Sequence, residues 1–306
     1  MAHQNDSGLS ARYVDIKRFA VHDGPGIRTT LFLKGCPLRC IWCHNPESRQ
    51  SRPELAIHYS KCALCGECAK ACPCHKIADG RHEFDRRECK GCGKCEQVCL
   101  SGALELFGKT ITVDEAVAKL LEDRIFYADG GGITVSGGEP LLHSGFCAEL
   151  LKRMRGQGIN CAVDTCGNVP WAAFEAVLPY TDLFLYDLKC ADPAKHERFT
   201  GCRNDLLLEN LKRLDETGKP IEIRMIMVPE HNMGEGDLRA AGEILHGLKN
   251  VSAVRLLAYH QLARSKFAAV GHPDTMPDVP PPDAEALEKC ARVLRPYTKN
   301  VVNSLK

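Results

Sequence analysis

The sequence predicts an α/β fold in which parallel strands alternate with helices. Six short β-rich segments recur along the chain, and segments of helical periodicity separate them. Such alternation is typical of right-handed βαβ units around a parallel sheet. Polar residues fall where the segments end, which is the edge at which such folds bind ligands. A cysteine-rich segment interrupts the pattern after the first strand.

Periodicity and turn residues place each element. The strands are expected at 29–33, 133–136, 160–164, 183–187, 221–228 and 253–258. The helices are expected at 112–127, 146–155, 171–178, 205–217, 237–248 and 284–294. Asp114 is the expected N-cap of the first helix, because a short polar side chain can accept from a free backbone N–H there.

Composition excludes several classes of partner. The chain has 306 residues, and its 40 basic and 39 acidic residues give a net charge of +1. That balance predicts no nucleic-acid footprint and no membrane-surface patch. Residues 1–11 are polar and are expected to form a disordered tail. No apolar stretch approaches the ~20 residues of a spanning helix, so a soluble, cytoplasmic protein is expected.

Three cysteines directly after the first strand form the most informative motif. Cys36, Cys40 and Cys43 lie in one short loop and could hold three irons of a 4Fe–4S cluster. No fourth cysteine follows at ligand spacing, so one iron would keep an open position for another ligand. Zinc is the less favoured alternative, because a structural zinc site has four ligands and the addition of His44 gives no standard finger spacing.

Eight further cysteines form two matched runs in an insert at 55–107. Both runs have the C-x2-C-x2-C-x3-C spacing of bacterial ferredoxins, in which the fourth cysteine of each run serves the other cluster. The predicted sets are Cys62, Cys65, Cys68 with Cys99, and Cys89, Cys92, Cys95 with Cys72. Two details depart from the pattern: Cys74 could compete with Cys72 as a cluster ligand, and Leu100 stands where the second run would usually have proline. The alternative to two iron–sulfur clusters is two zinc knuckles. Closed clusters would pass electrons.

Seven cysteines lie outside these motifs. A chain without a secretion signal is not expected to use them in disulfides. Most are expected to be small apolar residues of the core, and these are Cys147, Cys161, Cys190, Cys202 and Cys290.

Together these motifs resemble the radical S-adenosylmethionine superfamily, and within it the glycyl-radical-enzyme activating enzymes. Residues 23–28 read DGPGIR, 35–45 read GCPLRCIWCHN and 137–140 read GGEP. The insert resembles the larger members of the group. The resemblance implies a partial (β/α)6 radical SAM barrel formed by residues 12–54 and 108–306, with an inserted ferredoxin-like domain that holds two 4Fe–4S clusters.

The resemblance also implies an activity. With three 4Fe–4S clusters, the protein would reductively cleave S-adenosylmethionine (SAM) to a 5'-deoxyadenosyl radical. That radical would abstract hydrogen from a backbone glycine of a partner glycyl radical enzyme. The expected reductant is a flavodoxin or ferredoxin, and the protein is expected to be a monomer. No catalytic side chain is assigned beyond the SAM cluster.

Ten residues are implied to contact SAM. The GGEP turn would approach the methionyl group, with a hydrogen bond from its amine to Glu139, and the DT pair at 164–165 would hold its carboxylate through a monovalent cation shared with Asp187. Ala258 replaces a frequent family proline before His260. The full set is Trp42, His44, Gly138, Glu139, Asp164, Asp187, Leu188, Lys189, Arg224 and His260.

Two other functions remain open on the sequence. A radical SAM enzyme for a small molecule would use the same cluster but would leave the GPGIR segment unexplained. An electron-transfer Fe–S protein would leave the open three-cysteine motif and the polar strand ends unexplained. Each polar residue also has an ordinary role available, such as N-capping for Asp164 or surface charge for Lys189. The sequence does not identify the partner, the reductant, the electron path or the role of Cys74.

Overall fold

The computed structural model describes residues 8–305. Its central element is a nine-stranded sheet of order β13-β12-β11-β10-β9-β8-β2-β1-β7, and β3 pairs with β6 and β4 with β5 outside it. The strands are β1 (Ser10–Ala20), β2 (Arg28–Leu33), β3 (Glu54–Ile57), β4 (His75–Ala78), β5 (Arg81–Phe84), β6 (Leu104–Phe107), β7 (Lys109–Thr112), β8 (Gly132–Gly137), β9 (Asn160–Thr165), β10 (Leu183–Asp187), β11 (Ile221–Met227), β12 (Val251–Ala258) and β13 (Val301–Asn303).

All six predicted strands form the parallel part of this sheet, and their bounds agree with the expected ones within two residues. Strand β2 pairs with β8 in parallel, and β8, β9, β10, β11 and β12 follow in chain order. Their carboxyl ends therefore meet at one edge, as a βαβ succession requires. The α/β fold class with a mostly parallel sheet is confirmed.

Three strands of the large sheet were not predicted. Strand β1 pairs antiparallel with both β2 and β7, and β13 adds a short parallel edge beside β12. Most residues of β1 are half-buried or exposed, so its sequence lacks the apolar alternation that marks a strand. The expected tail at 1–11 is too long, since Ser10 and Ala11 pair with Thr112 and Ile111. Residues 1–7 of that tail lie outside the described residues.

Ten α-helices complete the described chain. They are α1 (Glu67–Ala71), α2 (Lys94–Gln97), α3 (Val113–Leu121), α4 (Ser144–Gly156), α5 (Trp171–Val177), α6 (Pro193–Thr200), α7 (Asp205–Glu216), α8 (Glu235–His246), α9 (Arg264–Val270) and α10 (Ala284–Leu294). The six expected helices are all present. The expected N-cap Asp114 is wrong: Thr112 caps α3 in a capping box with Glu115, because the helix begins two residues earlier than that cap requires.

The two faces of the parallel strands have different chemistry. Alternate residues such as Ile133, Val163 and Ile223 are fully buried in the main core, where α4, α5, α7 and α10 also contribute side chains. Cys147, Cys161 and Cys290 belong to this core, as predicted. The intervening residues, among them Asp164 and Arg224, face a cavity instead. The sheet therefore supports a site on its polar face.

The cysteine-rich insert is built from two similar halves. In each run a glycine between the second and third cysteines has a positive φ, 82° at Gly66 and 76° at Gly93, and a short helix follows it (α1 and α2). Glycine adopts this left-handed conformation without the strain that a Cβ causes. The two runs thus repeat in backbone as well as in sequence. No helix within residues 8–305 is long and apolar enough to cross a bilayer.

Candidate active site

A cavity of about 500 Å³ lies over the polar face of the sheet, at the carboxyl ends of its strands. Eight of the ten residues implied to contact SAM line it, together with the three cysteines after β2. Those eight are Trp42, His44, Gly138, Asp164, Asp187, Lys189, Arg224 and His260. Glu139 and Leu188 do not line it. The topology therefore brings together residues that are far apart in sequence.

Backbone hydrogen bonds hold the cysteine loop rigidly. Gly35 has a φ of 115° and donates to the carbonyl of Ser48 at 2.7 Å, and Cys36 N donates to Arg49 O at 3.1 Å. Arg39 N donates to Thr200 O at 2.7 Å, which ties the loop to the end of α6. The sulfur atoms of a loop that is fixed from both sides are presented in one arrangement, as a metal cluster requires.

Burial makes three thiolates in this loop costly without a cation. It raises the pKa of Cys40 to about 12 and also raises the pKa of Cys43. Arg49 and Lys189 are cations near these sulfurs, and the charge and hydrogen bond of Arg49 oppose the effect of burial on the pKa of Cys43. Burial disfavours the Lys189 ammonium, but Asp187 and Cys40 raise its pKa well above the ordinary value. Cluster iron would supply the remaining positive charge, because metal ligands must be deprotonated. The donor set thus fits an iron–sulfur cluster.

Cys166 is a residue of the site that sequence reasoning missed. Its thiol hydrogen-bonds Cys36, which lowers the pKa of Cys36, and it packs with Leu38 and Cys40. It lies outside the cysteine motif, one residue past the end of β9. Its position directly after the DT pair, at a strand end of the predicted sheet, was the available signal.

Glu139 is fully buried beneath the cavity rather than in it. Its carboxylate accepts from Leu141 N at 3.0 Å, from Thr165 Oγ1 at 2.9 Å and from Cys166 N at 2.8 Å. Burial raises its pKa. Its backbone N–H donates to Gly35 O at 2.7 Å. Glu139 therefore connects the GGEP turn, the cysteine loop and the end of β9.

Charged side chains from three adjacent strands meet on the cavity floor. Arg224 Nη1 and Asp164 Oδ1 form an ion pair at 3.3 Å, and Ser136 Oγ donates to Asp164 Oδ2 at 2.6 Å. Asp164 is thus no helix cap. Burial raises its pKa to about 6 despite the arginine. Lys189 Nζ pairs with Asp187 Oδ2 at 2.8 Å. The floor presents both charge signs to a zwitterionic ligand.

Two imidazoles and an indole form the opposite wall. The rings of His44 and His260 stack with centroids 4.1 Å apart, and burial lowers the pKa of His44 to about 4. Trp42 is 1% exposed and packs against Phe199. Within residues 8–305, four buried polar nitrogens of this wall and of the floor have no hydrogen-bond partner, which indicates a polar ligand: Trp42 Nε1, His44 Nε2, His260 Nδ1 and Arg224 Nε.

Gly138 and Leu188 differ in how they support the cavity. A Cβ on Gly138 would lie 2.2 Å from Gly35 O, so only glycine lets the turn approach the cysteine loop this closely. Leu188 is fully buried in the main core, and its N–H donates to Arg224 O. The DLK segment therefore places Asp187 and Lys189 in the cavity. Leu188 points to the opposite side and holds the segment against the main core.

Seven of the eight insert cysteines have neighbours from the same run or its partner run. A small second cavity is lined by Cys62, Cys65, Cys68 and Cys99, with His82 and Ile77 beside them. In the other group, the Cys72 and Cys89 sulfurs are close enough to Cys95 to help raise its pKa to about 11, although burial is the larger cause. The Cys74 thiol hydrogen-bonds Cys72. The residues of the first group thus surround one common space.

Comparisons with known proteins agree with this geometry. Residues 30–240 match the family model of the radical SAM superfamily. The indoleacetate decarboxylase activating enzyme of Tractidigestivibacter scatoligenes is 35% identical over 97% of this chain and 99% of its own. The (2S)-3-sulfopropanediol dehydratase activating enzyme of Klebsiella oxytoca is 38% identical over 87% of each chain.

A solved structure shares the fold. Streptococcus suis SuiB bound to precursor peptide SuiA has a TM-score of 0.56 and 12% identity over 88% of this chain and 46% of its own. This likeness concerns the fold alone, whereas the sequence relatives show to which group of the superfamily the chain belongs. The chain belongs to the radical SAM superfamily and, within it, to the activating enzymes of glycyl radical enzymes.

Proposed function

We propose that the cavity binds SAM beside a 4Fe–4S cluster held by Cys36, Cys40 and Cys43. The main support is that Trp42, His44, Arg224 and His260, which line the same cavity as the three cysteines, each have a buried nitrogen without a hydrogen-bond partner among residues 8–305. A zwitterionic methionyl group fits the charged floor, and an adenine fits the stacked imidazoles. The bound cluster and SAM supply an electron and a 5'-deoxyadenosyl radical, and with them the protein removes a hydrogen atom from a glycine of its partner.

The chain's own residues orient SAM and exclude water. Gly138 brings the GGEP backbone next to the cysteine loop, so that turn approaches the methionyl group. We assign contact with the methionyl carboxylate to Arg224 and to a monovalent cation between Asp164 and Asp187. Trp42, whose ring is buried, would keep water from the cluster side. Glu139 and Leu188 are proposed to act through the segments that they anchor.

The DGPGIR loop is proposed to receive the partner's glycine. Asp23 lines the cavity, and its backbone carbonyl accepts from Thr134 Oγ1 at 2.7 Å. Arg28 is fully buried and donates to Pro25 O at 3.2 Å. A loop fixed to the sheet in this way gives a preformed rim beside the reacting space. The partner is proposed to be a glycyl radical decarboxylase, dehydratase or lyase that acts on a small molecule, because the relatives are named for such enzymes.

Residues 55–107 are proposed to be a ferredoxin-like module with two further 4Fe–4S clusters, inserted in a barrel of residues 12–54 and 108–306. Support comes from the repeated cysteine spacing and from the cavity that Cys62, Cys65, Cys68 and Cys99 share. About 12 irons per chain are expected from three four-iron clusters. A Cys72→Ala protein should lose one insert cluster. Retention of both would assign the ligand role to Cys74.

Three further proposals concern the reductant, the oligomeric state and the cellular location of the protein. We propose that a flavodoxin or ferredoxin reduces the protein, that it acts as a monomer and that it works in the cytoplasm. Size-exclusion chromatography with light scattering measures the oligomeric state. Anaerobic reduction rates with each purified donor would identify the reductant.

Cleavage of SAM tests the site directly. Anaerobically reconstituted protein with a chemical reductant should release 5'-deoxyadenosine, measured by chromatography. Cys36→Ala should abolish release, whereas Cys290→Ala, which changes a buried core cysteine, should retain it. Absence of product from the wild-type protein with its cluster intact would contradict the proposed function.

A further inference from the structure

The β4–β5 hairpin places two buried histidines over the first group of insert cysteines. His75 and His82 are 4% and 8% exposed. His82 and Ile77 are cross-strand partners, and both line the cavity formed by that cysteine group. A hairpin that covers a cluster site can supply hydrogen bonds to its sulfur ligands.

His82 lies between His75 and two cysteine sulfurs, since its Nε2 is also 3.9 Å from Cys68 Sγ. His82 Nδ1 lies 3.6 Å from Cys62 Sγ, and His82 Nε2 lies 2.8 Å from His75 Nδ1. Within residues 8–305, His75 Nε2 is buried without a hydrogen-bond partner. The 2.8 Å separation is a hydrogen-bond distance, so one ring donates to the other.

Only one of the two proton arrangements suits these surroundings. If His82 Nε2–H donated to His75, the proton of His75 would lie on its buried and unpartnered Nε2. An unsatisfied buried donor costs about 1–3 kcal/mol. If His75 Nδ1–H donates instead, His82 carries its proton on Nδ1, directed at Cys62 Sγ. The second arrangement leaves just one lone pair unused.

We propose that His82, oriented by His75, donates a hydrogen bond to the Cys62 sulfur and raises the reduction potential of the cluster held by Cys62, Cys65, Cys68 and Cys99. Reduction adds negative charge to a cluster, and a hydrogen bond to its sulfur stabilises that charge. In the matched second run, the Cys89 sulfur accepts from the backbone N–H of Gly91 at 3.4 Å. The two insert clusters would then differ in reduction potential, and a single added electron would reduce the first cluster rather than the second. This inference depends on the proposed clusters.

Potentiometric EPR titration of the reconstituted protein measures the effect. His82→Phe should lower the ratio of reduced to oxidised first cluster about tenfold at fixed potential, which is about 59 mV for one electron. His82→Asn keeps a donor near the Nδ1 position and should restore most of the shift. His58→Phe is the matched control, because that half-buried ring pairs with Glu105 in the same module. The Cys65→Ala protein identifies the signal of the first cluster.

The possible results separate failure of the proposed hydrogen bond from failure of the proposed clusters. Full iron content with an unchanged potential in His82→Phe contradicts the hydrogen bond and leaves the clusters in place. Loss of the first cluster from His82→Asn would make His82 a ligand or a structural residue, against the proposal. Absence of insert clusters from the wild-type protein contradicts the proposed function itself. If His82→Phe fails to fold, pulsed EPR of the wild-type protein labelled with 15N-histidine provides a second test: a histidine nitrogen coupled to the reduced first cluster supports the bond, and its absence contradicts it.

Discussion

At the scale of single residues, the site depends on buried charges that are held by neighbours from other strands. Glu139 lies outside the cavity, but its carboxylate accepts hydrogen bonds from Leu141 N, Thr165 Oγ1 and Cys166 N, which belong to the segments around the cavity. The sequence predicted Glu139 as a contact for SAM, which stays a prediction. These three hydrogen bonds could not be foreseen, because they depend on the order in which β8 and β9 pair.

Glu139→Gln should destabilise the protein by about 1–3 kcal/mol. The amide would present a donor to Leu141 N–H or Cys166 N–H, and one buried group would lose its partner. Thermal unfolding under anaerobic conditions measures the change. Glu175→Gln, an exposed carboxylate that accepts from Trp171, is the control and should change stability by less than about 0.5 kcal/mol. Equal losses of stability in the two variants would contradict the role of Glu139 in holding these segments in place.

Asp164→Asn should stabilise the protein relative to wild type in a pH-dependent way. The pKa of Asp164 is raised to about 6, mainly by burial, so its ionisation opposes folding as pH rises from about 4 to about 6. The advantage of the variant should grow over that interval, by up to about 3 kcal/mol, and stay constant above it. Unfolding of the cluster-free proteins across this range measures it. A difference that does not vary with pH would show that the pKa is ordinary.

At the scale of elements, the GGEP turn and the cysteine loop fit together without room for a side chain. Gly138 N donates to Leu33 O, and its Cα faces Gly35 O and Ser48 O. Backbone atoms on both sides cannot move independently of the sheet. The contact therefore fixes the cavity edge next to Cys36.

Gly138→Ala should weaken SAM binding by at least about tenfold, or about 1.4 kcal/mol, because a Cβ 2.2 Å from Gly35 O must push the two segments apart. Equilibrium binding to the reconstituted protein measures the affinity. Gly145→Ala in α4 has open space around its Cβ and is the matched control, with unchanged affinity expected. Wild-type affinity in Gly138→Ala would contradict the close contact as the reason for glycine here.

At the scale of the whole molecule, the sequence predicted what depends on local pattern. The six parallel strands have a continuous apolar face, so their positions were confirmed within two residues. Strand β1 and the Thr112 cap escaped prediction because β1 is mostly polar and because Thr112 and Asp114 both suit an N-cap. Most of the cavity residues were predictable from motifs. Cys166 was missed although its place at a strand end gave a signal, and the His75–His82 pair was not predictable, since only the folded chain brings these rings to the cysteines.

The proposed cluster site, with its open iron position, is expected to serve a protein substrate. Anaerobically reconstituted protein should be incubated with SAM, a reductant and purified glycyl radical decarboxylases, dehydratases and lyases, and then measured by EPR. We expect a glycyl doublet on one partner, with a matching amount of 5'-deoxyadenosine, and loss of both with Cys36→Ala. Release of 5'-deoxyadenosine with no doublet on any of these partners would contradict this expectation and would favour a small-molecule substrate.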